Sequence, residues 1–179
     1  MKNKKILIII SIIFILCISI FFVIRNKSNN SVIKEPGDKY ISEVLGYPYC
    51  GDINLANTDE VIIKESNTYY KSNTYTTLTD LKDYLNTFMT KEYINEVIDN
   101  NNYVEENDNL YCYVPSRGRL IYKENSTSYK IIEEDKDKII ASVSYKAVTE
   151  GGEVITIKAE LIFKRENNKW LLSSYEEEL

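Results

Sequence analysis

The stretch "KIIASVSYKAVTEGGEVITIKAELIFKRENNKWLLSSYE", Lys138 to Glu176, decides the fold class. Its apolar residues recur at every second position. Ile155, Ile157, Ala159, Leu161 and Phe163 fall on one side of an extended chain, while Thr156, Lys158 and Glu160 fall on the other. Gly151-Gly152 and Asn167-Asn168 interrupt the alternation with residues that tolerate positive φ, the signal of hairpin turns. With "TSYKII" (Thr127 to Ile132) ahead of it, the C-terminal part is predicted as an antiparallel meander. One face is wet and the other is dry, and the dry face needs helices to cover it.

Helical signals lie upstream. In "TLTDLKDYLNTFM", Thr77 and Asp80 form a capping-box start, and Leu81, Tyr84, Leu85 and Phe88 follow at helical spacing. Thr90 caps a second helix with Tyr93, Ile94, Val97 and Ile98 on its inner face, ended by "DNNN" from Asp99. A shorter helix is expected in "DKYISEVLGY", where Ile41, Val44 and Leu45 share a face and Gly46 is the stop. Between these helices "YPYCGDINLANTD" is rich in turn residues, and "EVIIKE" and "TYYKSNTYTT" suit strands. "NYVEENDNLYCYV" (Asn102 to Val114) suits a short paired stretch around the acidic turn Glu106 to Asn109. Helices first and a meander second give an α+β fold: a helical half packed on a C-terminal antiparallel meander sheet.

At the N-terminus, Ile6 to Ile24 is an uncharged apolar run. As a helix at about 1.5 Å per residue it spans roughly 28 Å, close to the hydrocarbon thickness of a bilayer. It exceeds the apolar core of a secretory signal, and "FFVIRNK" offers no small-residue cleavage site. Leu16 before Cys17 is unsuited to a lipoprotein signal. The expectation is an uncleaved, single-pass transmembrane helix. Lys2, Lys4 and Lys5 against Arg25 and Lys27 place the N-terminus inside and the C-terminal part outside the cell. The domain reading is a membrane anchor over 1–27, a polar tether with Pro36-Gly37 over 28–38, and an extracellular α+β domain over 39–179.

Charge and chemistry narrow the function. Five of the 22 Lys and Arg lie in residues 1–27, leaving 17 against all 27 acids and a formal charge of −10 beyond the anchor. Such a surface repels phosphate, so nucleic acid and anionic lipid are poor partners, and basic ones are better: a cationic patch on another protein, or positively charged wall components. The chain has no histidine. That removes Ser–His and Cys–His nucleophiles, His-ligated zinc, and the side chain best suited to proton transfer near pH 7. The acids sit in turns and helix starts, so no catalysis, metal or cofactor is expected. Outside the apolar run only Cys50 and Cys112 are available for a bridge: an oxidising exterior would pair them and an anaerobic host would leave them free.

One further stretch stands apart, "LYCYVPSRGRLIY" (Leu110 to Tyr122). Pro115 suits position i+1 of a turn and Gly118 supplies backbone freedom, so a plain connection between two strands accounts for it. Arg117 and Arg119 also stand near Glu105, Glu106 and Asp108 in sequence and are placed to neutralise them. The functional reading takes Tyr111, Tyr113, Ser116, Arg117, Gly118 and Arg119 as an aromatic and cationic tip, a composition enriched in protein interfaces.

The succession "YYKSNTYTTLTDLKDYLNTFMTKEYINEVI", "ENDNLYCYVPSRGRL" and "LIFKRENNKWLLSSY" resembles the D,L-endopeptidase inhibitor (IseA-type) family of Gram-positive bacteria. The likeness runs from about Asp59 to Tyr175. It rests on Leu81-Lys82 and Tyr84-Leu85, a Phe88-x-Thr90 junction, an acidic turn before Leu110-Tyr111, and the Ser116-Arg117-Gly118 loop. Ser116 stands where relatives have an acidic residue, and the chain is shorter around this loop. The resemblance implies a non-catalytic extracellular protein that binds cell-wall D,L-endopeptidases, cysteine peptidases of the NlpC type, and blocks their cleft. An alternative of another class is a ligand-binding or assembly module of the nuclear transport factor two superfamily. Helices followed by a curved antiparallel sheet and a closing Trp170-containing strand describe that as well. A deep apolar cavity between helices and sheet would favour this alternative, whereas a filled core with a polar cleft would favour the inhibitor. A wall-degrading enzyme, the third possibility, would need an inward carboxylate pair at glycosidase spacing.

Overall fold

Alternating residues in the C-terminal part produce long strands. The computed structural model describes residues 31–45, 57–98, 102–113, 120–123, 125–149 and 151–178. The larger sheet comprises β5 (Ile121–Tyr122), β6 (Ser128–Glu134), β7 (Lys138–Val148), β8 (Val154–Glu166) and β9 (Lys169–Glu177), all antiparallel. Its order is β5-β7-β8-β9, with β6 following β5 along the same side of β7. Ala159, Leu161 and Phe163 are fully buried and Ile155 and Ile157 half-buried, while Thr156 and Lys158 are exposed. The dry and wet faces are those expected. Asn167 and Asn168 both adopt positive φ, closing a two-residue turn between Glu166 and Lys169. The β7–β8 connection is longer than two residues. Val148 pairs with Val154, Thr149 N–H bonds the Glu153 carbonyl, and Gly152 takes the φ of +80°.

The α+β expectation is corrected. About half of the described residues are in strands, and the anticipated helical half contributes only short helices. In its place stands a second antiparallel sheet, built from β1 (Asn57–Lys64), β2 (Asn67–Lys71), β3 (Tyr103–Glu106) and β4 (Asn109–Tyr113) in the order β1-β2-β4-β3. Two tight turns create its hairpins, Glu65-Ser66 and Asn107-Asp108, all at positive φ. Only the second carries Asn and Asp, the non-glycine residues that most readily accept this conformation. The central β2–β4 pairing joins strands on either side of the helix pair, a contact that no local pattern reports.

The helices share one buried core with both sheets. α1 covers residues 31–44, α-helical to 39 and ending in a π-turn at Tyr40–Val44. It therefore takes in residues 31–38, expected to be tether, including Pro36 and Gly37. Ile33, Tyr40 and Ile41 are fully or nearly fully buried. α2 (Leu78–Leu85) begins with the expected capping box between Thr77 and Asp80, and Thr90 caps α3 (Lys91–Val97) through the Tyr93 N–H. The α2–α3 junction is hydrogen-bonded to the edge of β9: Thr90 N–H donates to the Leu172 carbonyl and Leu172 N–H to that of Phe88. These bonds cover part of an otherwise open strand edge. Among the described residues no helix is long and apolar enough to cross a membrane. The run Ile6 to Ile24, expected to be the transmembrane helix, lies outside them, as do Cys50 and Ser116 to Arg119.

Candidate partner-binding face

The smaller sheet carries the described part of the expected tip. Tyr111 and Tyr113 are two apart on β4 and share a face, and register places Tyr69 beside Tyr113 and Lys71 beside Tyr111. The Tyr69 and Tyr113 rings stand 5.8 Å apart and tilted by 54°, within the range of favourable aromatic pairs. Tyr69 and Tyr111 are buried, whereas Tyr113 is half-exposed and leads directly into residues 114–119. Tyr111 thus supports the face and Tyr113 presents it. Tyr69 was not singled out in the sequence, because only the β2–β4 register brings it to Tyr113.

Charge pairs border the tyrosines. Lys71 Nζ lies 2.7 Å from Glu60 Oε2, and Lys64 Nζ lies 2.9 Å from Glu106 Oε2. The Glu60 carboxylate beside Lys71 raises its pKa above the ordinary lysine range. The Lys64–Glu106 pair joins the two outermost strands, β1 and β3. Three inter-strand spacings of about 4.8 Å would hold those strands roughly 14 Å apart in a flat sheet. The sheet curls, and Lys64 and Glu106 meet on the face that carries Tyr69 and Tyr111. Glu106 is therefore paired with Lys64, and Glu105 accepts the Leu78 N–H at the start of α2. These two acids have partners other than Arg117 and Arg119. The opposite face, through Leu110, Cys112 and Tyr103, belongs to the common core. Cys112 is disulfide-bonded there, its partner lying outside the described residues.

A second polar cluster lies under α1. The Tyr40 and Tyr93 hydroxyls are 2.7 Å apart and share a hydrogen bond. Tyr175 donates its single proton to Glu177 Oε1 at 2.8 Å, so Tyr145, 2.8 Å from Tyr175, donates to Tyr175. Tyr129 and Thr127 both donate to Asp38 Oδ1, at 2.9 and 2.7 Å. Burial above all raises the pKa of Tyr40, Tyr93, Tyr129, Tyr145 and Tyr175 above the ordinary tyrosine value of 10.0. These phenols stay protonated at neutral pH, and their arrangement locks α1 to the larger sheet. Individually they were visible as sequence letters; their convergence depends on α1 lying across β6, β7 and β9. Among the described residues no three His, Cys, Asp or Glu side chains converge as a metal ion would require.

No protein-family model matches the chain, and no curated protein matches it.

Proposed function

We propose that this chain is a membrane-anchored extracellular inhibitor of cell-wall D,L-endopeptidases of the NlpC type, acting by binding and occluding the active-site cleft. The observation that carries the reading is the face formed by Tyr69, Tyr111 and Tyr113 at the root of residues 114–119. It gives the residues that follow Tyr113 a rigid aromatic base. A preorganised aromatic base suits binding in a groove, because it loses little freedom on binding. The −10 charge beyond residues 1–27 steers the domain towards a basic hydrolase. Ser116, Arg117, Gly118 and Arg119, with Tyr113 beside them, are the proposed contact, and Tyr111 supports it. The ligand-pocket alternative is disfavoured by the space under α1, which Tyr40, Tyr145, Phe88 and Phe163 fill.

The test adds the full chain, in detergent, to an NlpC-type endopeptidase of the same organism and follows peptidoglycan cleavage against dose. Saturable inhibition, weakened about tenfold or more by Tyr113→Ala and by Arg117→Ala with Arg119→Ala, is the expected result. Unchanged inhibition by these variants would move the contact elsewhere. No inhibition of any such enzyme from the host would refute the reading.

A further inference from the structure

α1 places the start of the described chain at one end of the larger sheet. Gly37 packs against the Tyr129 ring of β6 and Asp38 accepts from Thr127 just before that strand, while Tyr40, further along α1, packs on Tyr175 of β9, which is paired farther from the β5 end. The helix therefore runs from the β5 end inwards, and the chain leaves the domain N-terminally at that end. Only Arg25 to Asn30 separate α1 from the apolar run. Six residues reach at most roughly 20 Å when fully extended. If the apolar run spans a bilayer, the β5 end of the domain lies against its surface.

That end has the side chains such a surface would select. Ile121 and Val154 are 48% and 51% exposed and flank Val148 in register on the outward face of the sheet. Leu120 and, in the first turn of α1, Val32 are exposed as well. Two residues along each strand from Ile121 and Val148 stand Lys123 and Lys146, both exposed and joined by the Lys123 N–H to Lys146 carbonyl bond. Neither lysine forms an ion pair among the described residues. Among the described residues Glu153, in the β7–β8 turn, is the exposed acid adjoining Val154, and in sequence Glu150 lies in the same connection and Glu124 follows Lys123. Exposed apolar residues at one end of the sheet, with two lysines beside Ile121 and Val148, give that end the chemistry of an interfacial membrane contact. They make it a local exception to the net acidic charge that otherwise disfavours lipid phosphate. The apolar side chains enter the headgroup boundary and the ammonium groups meet lipid phosphates.

We propose that the β5 end, through Val32, Leu120, Ile121 and Val154 with Lys123 and Lys146, docks on the lipid surface and fixes the orientation of the domain above the membrane. The inference rests on the membrane-anchor part of the proposed function and is independent of the inhibited enzyme.

The test reconstitutes the full chain in phosphatidylcholine vesicles containing one quarter phosphatidylglycerol, with brominated acyl chains as fluorescence quenchers. In a Trp170→Phe background, a reporter tryptophan replaces Ile121 or, at the opposite end of β6, the exposed Ile132. Emission at 121 is expected to be quenched at least about threefold more than at 132, and Lys123→Glu with Lys146→Glu to abolish the difference. For the unmodified chain, amide exchange in the β7–β8 turn is expected to slow on transfer from detergent to vesicles. Equal quenching at both positions together with unchanged exchange overturns the proposal. Self-association that Ile121→Asp abolishes, without quenching, assigns the patch to a second copy and also overturns it. Alkaline extraction of the vesicles separates the two premises: a chain that stays bound but is not quenched refutes docking alone, and a chain that is released refutes the anchor and docking together.

Discussion

Gly37→Ala tests the seat of α1 on the sheet. A Cβ at this position would stand 2.5 Å from Tyr129 Oη and 3.0 Å from Tyr129 Cε1 and Cζ. The tip of a tyrosine ordinarily swings away at little cost, but this one is held. Its hydroxyl donates to Asp38 Oδ1, which also accepts from Thr127, while Asp38 Oδ2 is 2.8 Å from Lys34 Nζ. Displacing the ring breaks a hydrogen bond to a charged acceptor, worth about 1.5–3 kcal/mol. Repacking around the added methyl costs about 1–3 kcal/mol more. Against these, replacing glycine by alanine in a helix gains up to about 1 kcal/mol. The expected net loss is about 1.5–5 kcal/mol, read as a fall in the urea midpoint at pH 7 with an unchanged slope. Gly151→Ala is the control, since its added Cβ meets only Thr149 Oγ1 at 3.8 Å. It should lie within about 0.5 kcal/mol of the parent. Tyr129→Phe removes the nearest clashing atom, so the double variant should lose less than the sum of the two singles. A Gly37→Ala chain as stable as the parent, or strict additivity with Tyr129→Phe, would refute this account of the α1 seat.

Alkaline unfolding should be steep. Tyrosines with raised folded pKa values keep their full stabilisation below the unfolded value near 10, and lose it as pH rises beyond that value because the unfolded chain alone deprotonates. Tyr40 and Tyr129 together should remove roughly 3 kcal/mol per pH unit above 10, seen as a cooperative, late tyrosinate absorbance step; smooth titration of all tyrosines near pH 10 would contradict it. In the opposite range, hydrogen bonds from Thr76 and Thr77 lower the pKa of Asp80. Its contribution is present above the unfolded carboxylate pKa and lost as pH falls through the folded one, so Asp80→Asn should flatten the acid limb of a stability–pH profile. Thr77→Ala, which removes the other half of the same capping box, should cost about 1 kcal/mol in urea unfolding. Reducing the Cys112 disulfide should cost about 2–5 kcal/mol, measured by thermal unfolding with and without reductant. Peptide mapping of the oxidised chain should show Cys50 as its partner.

What the sequence determined by itself was local. The two-residue alternation of Lys138 to Glu176 specified both faces of the larger sheet, because side-chain direction in a strand depends only on parity. Thr77, Asp80 and Thr90 marked their helix starts, because a cap is an interaction across three residues. Tertiary structure decided what is made between distant segments. Pro36-Gly37, expected to break the chain into tether, lies inside α1, where glycine permits the close approach of Tyr129. The second sheet depends on β2 meeting β4 across the helix pair, and its curl on Lys64 reaching Glu106. The candidate face follows from the same contacts: Tyr111 and Tyr113 were legible as neighbours on one strand, but the burial of Tyr111 and the pairing of Tyr113 with Tyr69 were not. A one-residue change in the β2–β4 register would send these side chains to opposite faces, and no stretch of sequence shorter than the whole assembly fixes that register.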